Sequence, residues 1–243
     1  MTASSYGRID VHAHLLPEVD DGCPTVGDSV ACARRLVEAG YTHAFCTPHV
    51  WPDLPHNNVT IIRHRVAELQ SAYDQQQVPL HLIPGGEIGL RTQTLTLEME
   101  DVVSYGMRRE YCLVDFWGNV LPPFFRDAVK HLQSMGLKVI LAHPERMRAV
   151  QDQPQVVEQF AKMGLLLQGN LQCLDDPKDS PTRMLAERYL REDRYFILGS
   201  DTHNFESLEC RMRGLARAIE LMGEEKIWTL TRDNPKQLLP PGI

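Results

Sequence analysis

The sequence has no long hydrophobic run: its longest uninterrupted apolar stretches, such as 139–142 and 164–167, fall far short of the roughly 20 residues that cross a bilayer. Residues 1–8 are polar and lack the apolar core of a secretory signal, so a cytoplasmic protein is expected. A cationic excess is also missing. With 25 Lys and Arg against 32 Asp and Glu, the net charge is −7, the wrong sign for a partner held through nucleic-acid phosphates. The six cysteines (Cys23, Cys32, Cys46, Cys112, Cys173 and Cys210) include no C-x-x-C pair and no zinc-finger spacing, so they read as reduced thiols. Cys46 and Cys112, inside apolar runs, read as small core residues.

Several catalytic signatures are absent as well. A thiol phosphatase needs Arg six positions after its cysteine, and the residues at that distance are Ser29, Glu38, Pro52, Gly118, Asp179 and Ala216. There is no Walker loop, no G-x-S-x-G elbow and no H-E-x-x-H helix. A covalent nucleophile has no candidate.

The composition that is present is that of an ordinary globular protein, 43% hydrophobic and 23% charged over 243 residues, which excludes disorder, collagen and coiled coil. No repeat and no Gly/Ser/Pro linker interrupts the chain, so residues 1–243 are expected to form one domain. Seven short apolar runs read as strands: 9–11, 44–47, 80–84, 111–115, 138–142, 165–168 and 195–198. Helical periodicity fills the intervals at 27–38, 59–76, 125–135, 154–163, 183–191 and 208–222, with glycine stops at Gly40, Gly136, Gly164 and Gly223. Residues 92–99 read as a short helix or an irregular connection. Alternation of strand and helix at this spacing predicts βα units, hence a parallel sheet or barrel.

The C-terminal ends of these strands carry the most informative residues. His12 and His14 end the first, His49 the second, Glu87 the third, Asp115 the fourth, His143 the fifth, and Asp201 and His203 the seventh. In a parallel α/β barrel the C-terminal strand ends share one face, so these residues are expected to converge. Side chains at i and i+2 of a strand point the same way, which lets the His12/His14 pair hold one ion. With Asp21 there are nine candidate ligands, too many for one ion and enough for two or three. A single histidine at a strand end is more often structural, but so many buried polar groups without metal would be costly. His43, His56, His64, His81 and His131 fall elsewhere and read as structural.

The blocks Ile9-Asp10-Val11-His12-Ala13-His14, Asp20-Asp21-Gly22, Thr47-Pro48-His49, Gly86-Glu87-Ile88, Ala142-His143-Pro144-Glu145-Arg146 and Ser200-Asp201-Thr202-His203-Asn204 resemble, in order, those of the polymerase-and-histidinol-phosphatase (PHP) superfamily. They resemble in particular its bacterial, manganese-dependent tyrosine-protein phosphatases of capsule and exopolysaccharide operons. The resemblance implies a single-domain distorted (β/α)7 barrel and two or three divalent ions, manganese ahead of iron or zinc. It implies one ion on His12, His14, Glu87 and Asp201, and a second sharing Glu87 and adding Asp115 and His143. The third would take Asp21, His49 and His203. Asp115 departs from the family pattern, which places a longer Glu there.

The implied reaction is hydrolysis of phosphotyrosine on proteins by a metal-activated hydroxide. Arg146 is expected as a bidentate phosphate clamp, and Arg211 is the nearest candidate for a further family arginine. The implied partner is the tyrosine-rich tail of a bacterial tyrosine kinase controlling polysaccharide export. Trp51, Phe116, Trp117, Phe124 and Phe125 are candidates for the walls of a phenyl slot, although each could equally pack under a loop. The alternatives are a histidinol-phosphate or other small-molecule phosphatase of the same superfamily, and a module that binds a phosphorylated tail without turnover. An amidohydrolase is less favoured because no strand ends in Lys, and a nuclease because of the acidic balance.

Overall fold

The computed structural model describes residues 6–243. It runs β1 (Arg8–Ala13), α1 (Val26–Glu38), β2 (Tyr41–Cys46), β3 (His49–Val50), α2 (Val59–Gln75), β4 (His81–Pro84) and β5 (Glu87–Gly89). Three short 3-10 turns lead to β6 (Tyr111–Asp115) and α3 (Pro123–Ser134). The rest is β7 (Lys138–Ala142), α4 (Arg148–Asp152), α5 (Val157–Lys162), β8 (Leu166–Asn170), α6 (Pro181–Arg191), β9 (Ile197–Gly199), α7 (Phe205–Met222) and α8 (Glu224–Trp228). The seven expected strands are all found. Two of them are interrupted: Thr47-Pro48 separates β2 from β3, and Gly85-Gly86 separates β4 from β5.

Local chemistry explains the boundaries. The Thr25 side chain accepts from the Asp28 amide to start α1, and Asn58 accepts from Thr60 and Ile61 to start α2. Gly40 and Gly136 then reverse the chain at φ of 87° and 90°, values that a side chain would resist. Residues 92–99 hold a 3-10 turn over Thr92–Thr96 rather than an α-helix. The expected helix at 154–163 is split into a 3-10 turn, Pro154–Val156, and α5.

All strand pairing is parallel, in two sheets ordered β1-β2-β4 and β3-β5-β6-β7-β8-β9. The sheets are joined where β2 runs into β3: the Gly85 amide donates to the Cys46 carbonyl, and the Glu87 amide to that of Pro48. At the far side β1 meets the chain after β9. The Asp201 amide donates to the His12 carbonyl at 2.7 Å and the His14 amide to that of Thr202 at 2.8 Å. The buried Asp10 carboxylate reinforces this contact by accepting from the Ser200 amide and hydroxyl at 3.0 and 2.5 Å.

The apolar interior divides into two clusters. A small one joins Ile9 and Val11 of β1 to Phe45, Ile83, Leu113, Ile140 and Ile197 from strands of both sheets, and Leu238 and Leu239 pack onto it. The larger cluster lies between strands and helices and includes Cys46 and Cys112. Among the described residues no helix is long and apolar enough to cross a membrane.

Helix α7 approaches this body closely at Gly214, where an added Cβ would lie 1.8 Å from the Leu171 carbonyl oxygen. Backbone atoms cannot swing aside, so Gly214→Ala is expected to cost about 1–3 kcal/mol or more. Thermal denaturation should show a fall in Tm of about 2–4 °C per kcal/mol lost; an unchanged Tm would contradict the packing described.

Candidate metal centre

The strand ends deliver the expected residues to one place. His12, His14, Glu87, Asp115, His143 and Asp201 are buried, as is His49, while His203 is half-buried and Asp21 exposed at the rim. In β1 the pairing register slips between Asp10 and Ala13, but the two imidazoles still meet: His12 Nε2 and His14 Nε2 are 3.1 Å apart. His143 and Asp201 leave their strands in the left-handed region, at φ of 34° and 54°. The proline after His143 disfavours that geometry, so both turns hold strain of the kind that collects at functional sites.

Glu87 is the hub. Its Oε1 lies 2.9 Å from His143 Nε2, and its Oε2 lies 2.8 Å from His49 Nδ1, 3.5 Å from His12 Nε2 and 3.7 Å from His14 Nε2. Asp201 Oδ1 lies 3.5 Å from His12 Nε2, 3.4 Å from His14 Nε2 and 3.5 Å from His203 Nδ1. Asp21 Oδ1 sits between His49 and His203, 3.3 and 3.5 Å from their Nε2 atoms.

Three groups bring ligand atoms within 4.8 Å of one another: His12/His14/Glu87, His49/Glu87/Asp115, and His14/Asp21/His49/His203. The first holds three of the four residues of one implied set, without Asp201, and the third holds the implied Asp21, His49 and His203 with His14 added. In the second, His49 stands beside Glu87 and Asp115 where the resemblance puts His143. His143 touches that group through its contact with Glu87 Oε1.

The electrostatics fit cations. Burial alone would push the Glu87 and Asp201 carboxyls up, but the surrounding histidines overcome it and hold both well below the usual range. Burial opposes charge on His12 and His14 too. There Glu87 and Asp201 win at His12, and Asp20 and Asp201 win at His14, raising both imidazoles. The same carboxylates that favour a positive charge on these imidazoles would also favour a cation placed among them. Burial and then the neighbouring Glu87 charge push Asp115 up to about 8. Both Asp115 oxygens are buried without a hydrogen-bond partner, and Glu87 Oε2, although 2.8 Å from His49 Nδ1, makes no well-aligned hydrogen bond with it. Buried polar atoms are rarely left this way, and imidazole with carboxylate is a donor set for manganese, iron or zinc.

The two arginines differ. Arg146 reaches the centre, donating from Nη1 to Asp201 Oδ2 at 2.5 Å with its guanidinium 4.8 Å over Trp117. Arg211 lies buried beneath the loop, its donors engaged by the carbonyls of Ser200, Asp201 and Ser207. It braces the backbone of the Asp201 turn and does not face the centre. Its place in the second turn of α7 explains this, since that stretch packs under the loop.

The aromatic candidates also separate. Phe116 and Phe125 are core residues packed edge to face, and Phe124 is half-buried against the core. Trp51 stacks on His49 at 3.9 Å between ring centroids. Trp117, 48% exposed, lies 5.6 Å from His143. These two indoles flank the centre. Of the remaining histidines, His131 bonds the Leu97 carbonyl, His43 bonds Thr42, and His64 pairs with Glu68 on α2, all outside the centre.

Sequence reasoning missed the groups that orient the candidate ligands. Asp20 Oδ2 lies 2.7 Å from His14 Nδ1 and accepts from the His49 amide at 2.9 Å. Gln168 Oε1 lies 2.9 Å from His12 Nδ1, and Asn170 Nδ2 donates to Asp201 Oδ2 at 2.8 Å. The doubled Asp20-Asp21 was a visible signal. Gln168 and Asn170 end the one strand that brings no His, Asp or Glu, which left them without one.

Comparison with known proteins places this geometry. The family model described as capsular polysaccharide synthesis, CpsB/CapC, matches residues 8–240. The tyrosine-protein phosphatase YwqE of Bacillus subtilis is 26% identical over 233 residues, covering 95% of this chain and 91% of that protein. The tyrosine-protein phosphatase CpsB of Streptococcus agalactiae is 24% identical over 248 residues, covering 95% and 98%. Among solved structures, one from the pair YwqE of Bacillus subtilis and CpsB of Streptococcus pneumoniae, described as unique metal-dependent tyrosine phosphatases, superposes with a TM-score of 0.85. It is 25% identical, over 95% of this chain and 94% of that one. A phosphotriesterase homology protein from Escherichia coli, 10% identical over 96% of this chain and 99% of that one, shares the fold at a TM-score of 0.62.

Asp20 offers a test of the orienting layer. Removing such a partner of a ligating histidine typically weakens metal binding about 10- to 100-fold, and Asp20→Asn is expected to do so for manganese by titration calorimetry. Wild-type affinity in a folded Asp20→Asn variant would show that His14 needs no orientation.

Proposed function

The chain belongs to the capsular polysaccharide synthesis CpsB/CapC family, and from that membership and the centre above we propose that it is a metal-dependent phosphomonoesterase acting on phosphotyrosine in proteins. The observation that carries this reading is the enclosure of Glu87, Asp115 and Asp201 among histidines, with carboxylate oxygens left unpartnered. We read His12, His14, Glu87 and Asp201 as one cation site, and Asp21, His49 and His203 as another. A third falls at Glu87 and Asp115, completed by His143 or His49. Manganese is the expected ion. When bound, such ions supply Lewis-acid stabilisation of phosphoryl oxygens and activate water near neutral pH.

The chain's own residues do the rest. Arg146 offers a fork of donors at the mouth, suited to two phosphate oxygens at once. Trp51 and Trp117 narrow the approach from either side, and the phenyl ring gives phosphotyrosine the reach that phosphoserine lacks. We take the two parallel sheets, bonded through Gly85, Glu87, Asp201 and His14, as one distorted seven-strand barrel forming a single domain. The proposed setting is the cytoplasm. The proposed substrate is the tyrosine-rich tail of a bacterial tyrosine kinase, with polysaccharide synthesis or export as the process controlled.

Phosphate release from phosphotyrosine peptide, phosphoserine peptide and histidinol phosphate tests this. Chelation is expected to abolish release and manganese to restore it, with the phosphotyrosine peptide preferred. Activity on histidinol phosphate alone would make the protein a small-molecule phosphatase, and binding of the phosphopeptide without release would make it a recognition module. His143→Ala should lose at least about 100-fold in kcat with unchanged circular dichroism, and near-normal turnover would sink the assignment.

A further inference from the structure

A cavity of about 380 Å³ lies beside the centre and takes no part in the chemistry above. Trp51 and Leu54 wall it from the loop after β3, Ile88 from β5, and Leu97 from the chain beyond β5. Its polar lining includes Arg91 and Asp101. The cavity shares one wall with the centre. The Trp51 indole stacks on His49 on the centre's side and lies against Gly89, where an added Cβ would be 2.6 Å from Trp51 Cδ1 and 3.4 Å from Asp115 Oδ1. Any side chain at Gly89 would push the partition out of place.

Arg91 is the second distinctive feature. Its Nη1 donates to the Leu90 carbonyl at 3.0 Å and its guanidinium stands 6.0 Å from the Trp51 ring. Among the described residues it forms no ion pair, whereas most arginines near the surface of this acidic chain do. An apolar cavity with an arginine at its side that forms no ion pair among the described residues, one indole away from a phosphate-accepting centre, is complementary to a peptide carrying an apolar and an acidic side chain.

We propose that this cavity anchors the substrate polypeptide: it takes an apolar side chain close to the phosphotyrosine, while a neighbouring carboxylate of the same peptide pairs with Arg91. This rests on the phosphatase reading above and adds to it the class of protein substrate selected. An extended chain advances about 3.3–3.6 Å per residue, so a peptide whose phosphotyrosine enters the centre crosses the partition within a few residues. A free phosphotyrosine does not reach beyond it.

The test is steady-state hydrolysis of free phosphotyrosine and of three phosphotyrosine peptides, whose flanks carry leucine with glutamate, leucine alone, or only glycine and serine. The wild type is expected to favour the first over the last by about tenfold or more in kcat/KM, the scale of burying one leucine side chain. Leu54→Glu and Leu97→Gln should remove that preference through KM while leaving free phosphotyrosine unchanged. Leu54→Met should retain it, and Arg91→Ala should lose only the difference made by glutamate.

Equal wild-type rates across the three flanks would overturn the proposal. So would variants that impair free phosphotyrosine as much as peptide, because the cavity would then hold the phosphotyrosine ring itself. If the wild type released phosphate from no form of phosphotyrosine, the phosphatase reading would fall first and this inference with it.

Discussion

One buried carboxylate organises the molecule. Glu87 is fully enclosed, and His12, His14, His49 and His143 from three other strand ends lie 2.8 to 3.7 Å from its two oxygens. A buried charge without such company would be prohibitive, so Glu87 can stay ionised only if β1, β3 and β7 present their termini to it together. Its own amide bonds the Pro48 carbonyl, where one sheet passes into the other. The contact that unites the sheets is therefore also the contact that seats the hub.

The cost of this arrangement is visible nearby. His143 and Asp201 hold left-handed backbone conformations, and Asp115 is buried with neither oxygen partnered. The strained Asp201 turn is compensated from the layer behind, where Arg211 fixes the carbonyls around Asp201 and Asp10 clasps Ser200, while Asp20 orients His14. Cations at the centre would relieve the remaining imbalance, because they would lie among the carboxylates of Glu87, Asp115 and Asp201. Fold and chemistry are thus coupled through the same few side chains.

The strands, and the convergence of the His, Asp and Glu residues at their ends, were legible in the sequence because their signals are local. Apolar runs bounded by glycine and proline mark strands whatever surrounds them, and residues immediately after a run lie at its end in any parallel fold. The interruptions at Thr47-Pro48 and Gly85-Gly86 looked like strand ends, yet β3 and β5 resume beyond them and carry His49 and Glu87 inward. Arg146 and Arg211 were both candidates by position along the chain. Their separation depends on how α7 packs beneath the Asp201 turn, a long-range matter. The aromatics divided for the same reason: Phe116 and Trp117 are adjacent in the chain just past β6, and packing turns one into the core and leaves the other beside His143.

The sequence by itself determined the alternation of strands and helices, the histidines and carboxylates at the strand ends and the acidic character that disfavours a nucleic-acid partner, since periodicity, turn chemistry and charge are properties of neighbouring residues. Tertiary structure alone decided which imidazole faces which carboxylate, why Gln168, Asn170 and Asp20 matter, and that Trp51 divides the centre from a second cavity beside an Arg91 without an ion-pair partner among the described residues. Most of those relations join residues tens of positions apart, and distances across a folded chain are set by packing, not by order along it.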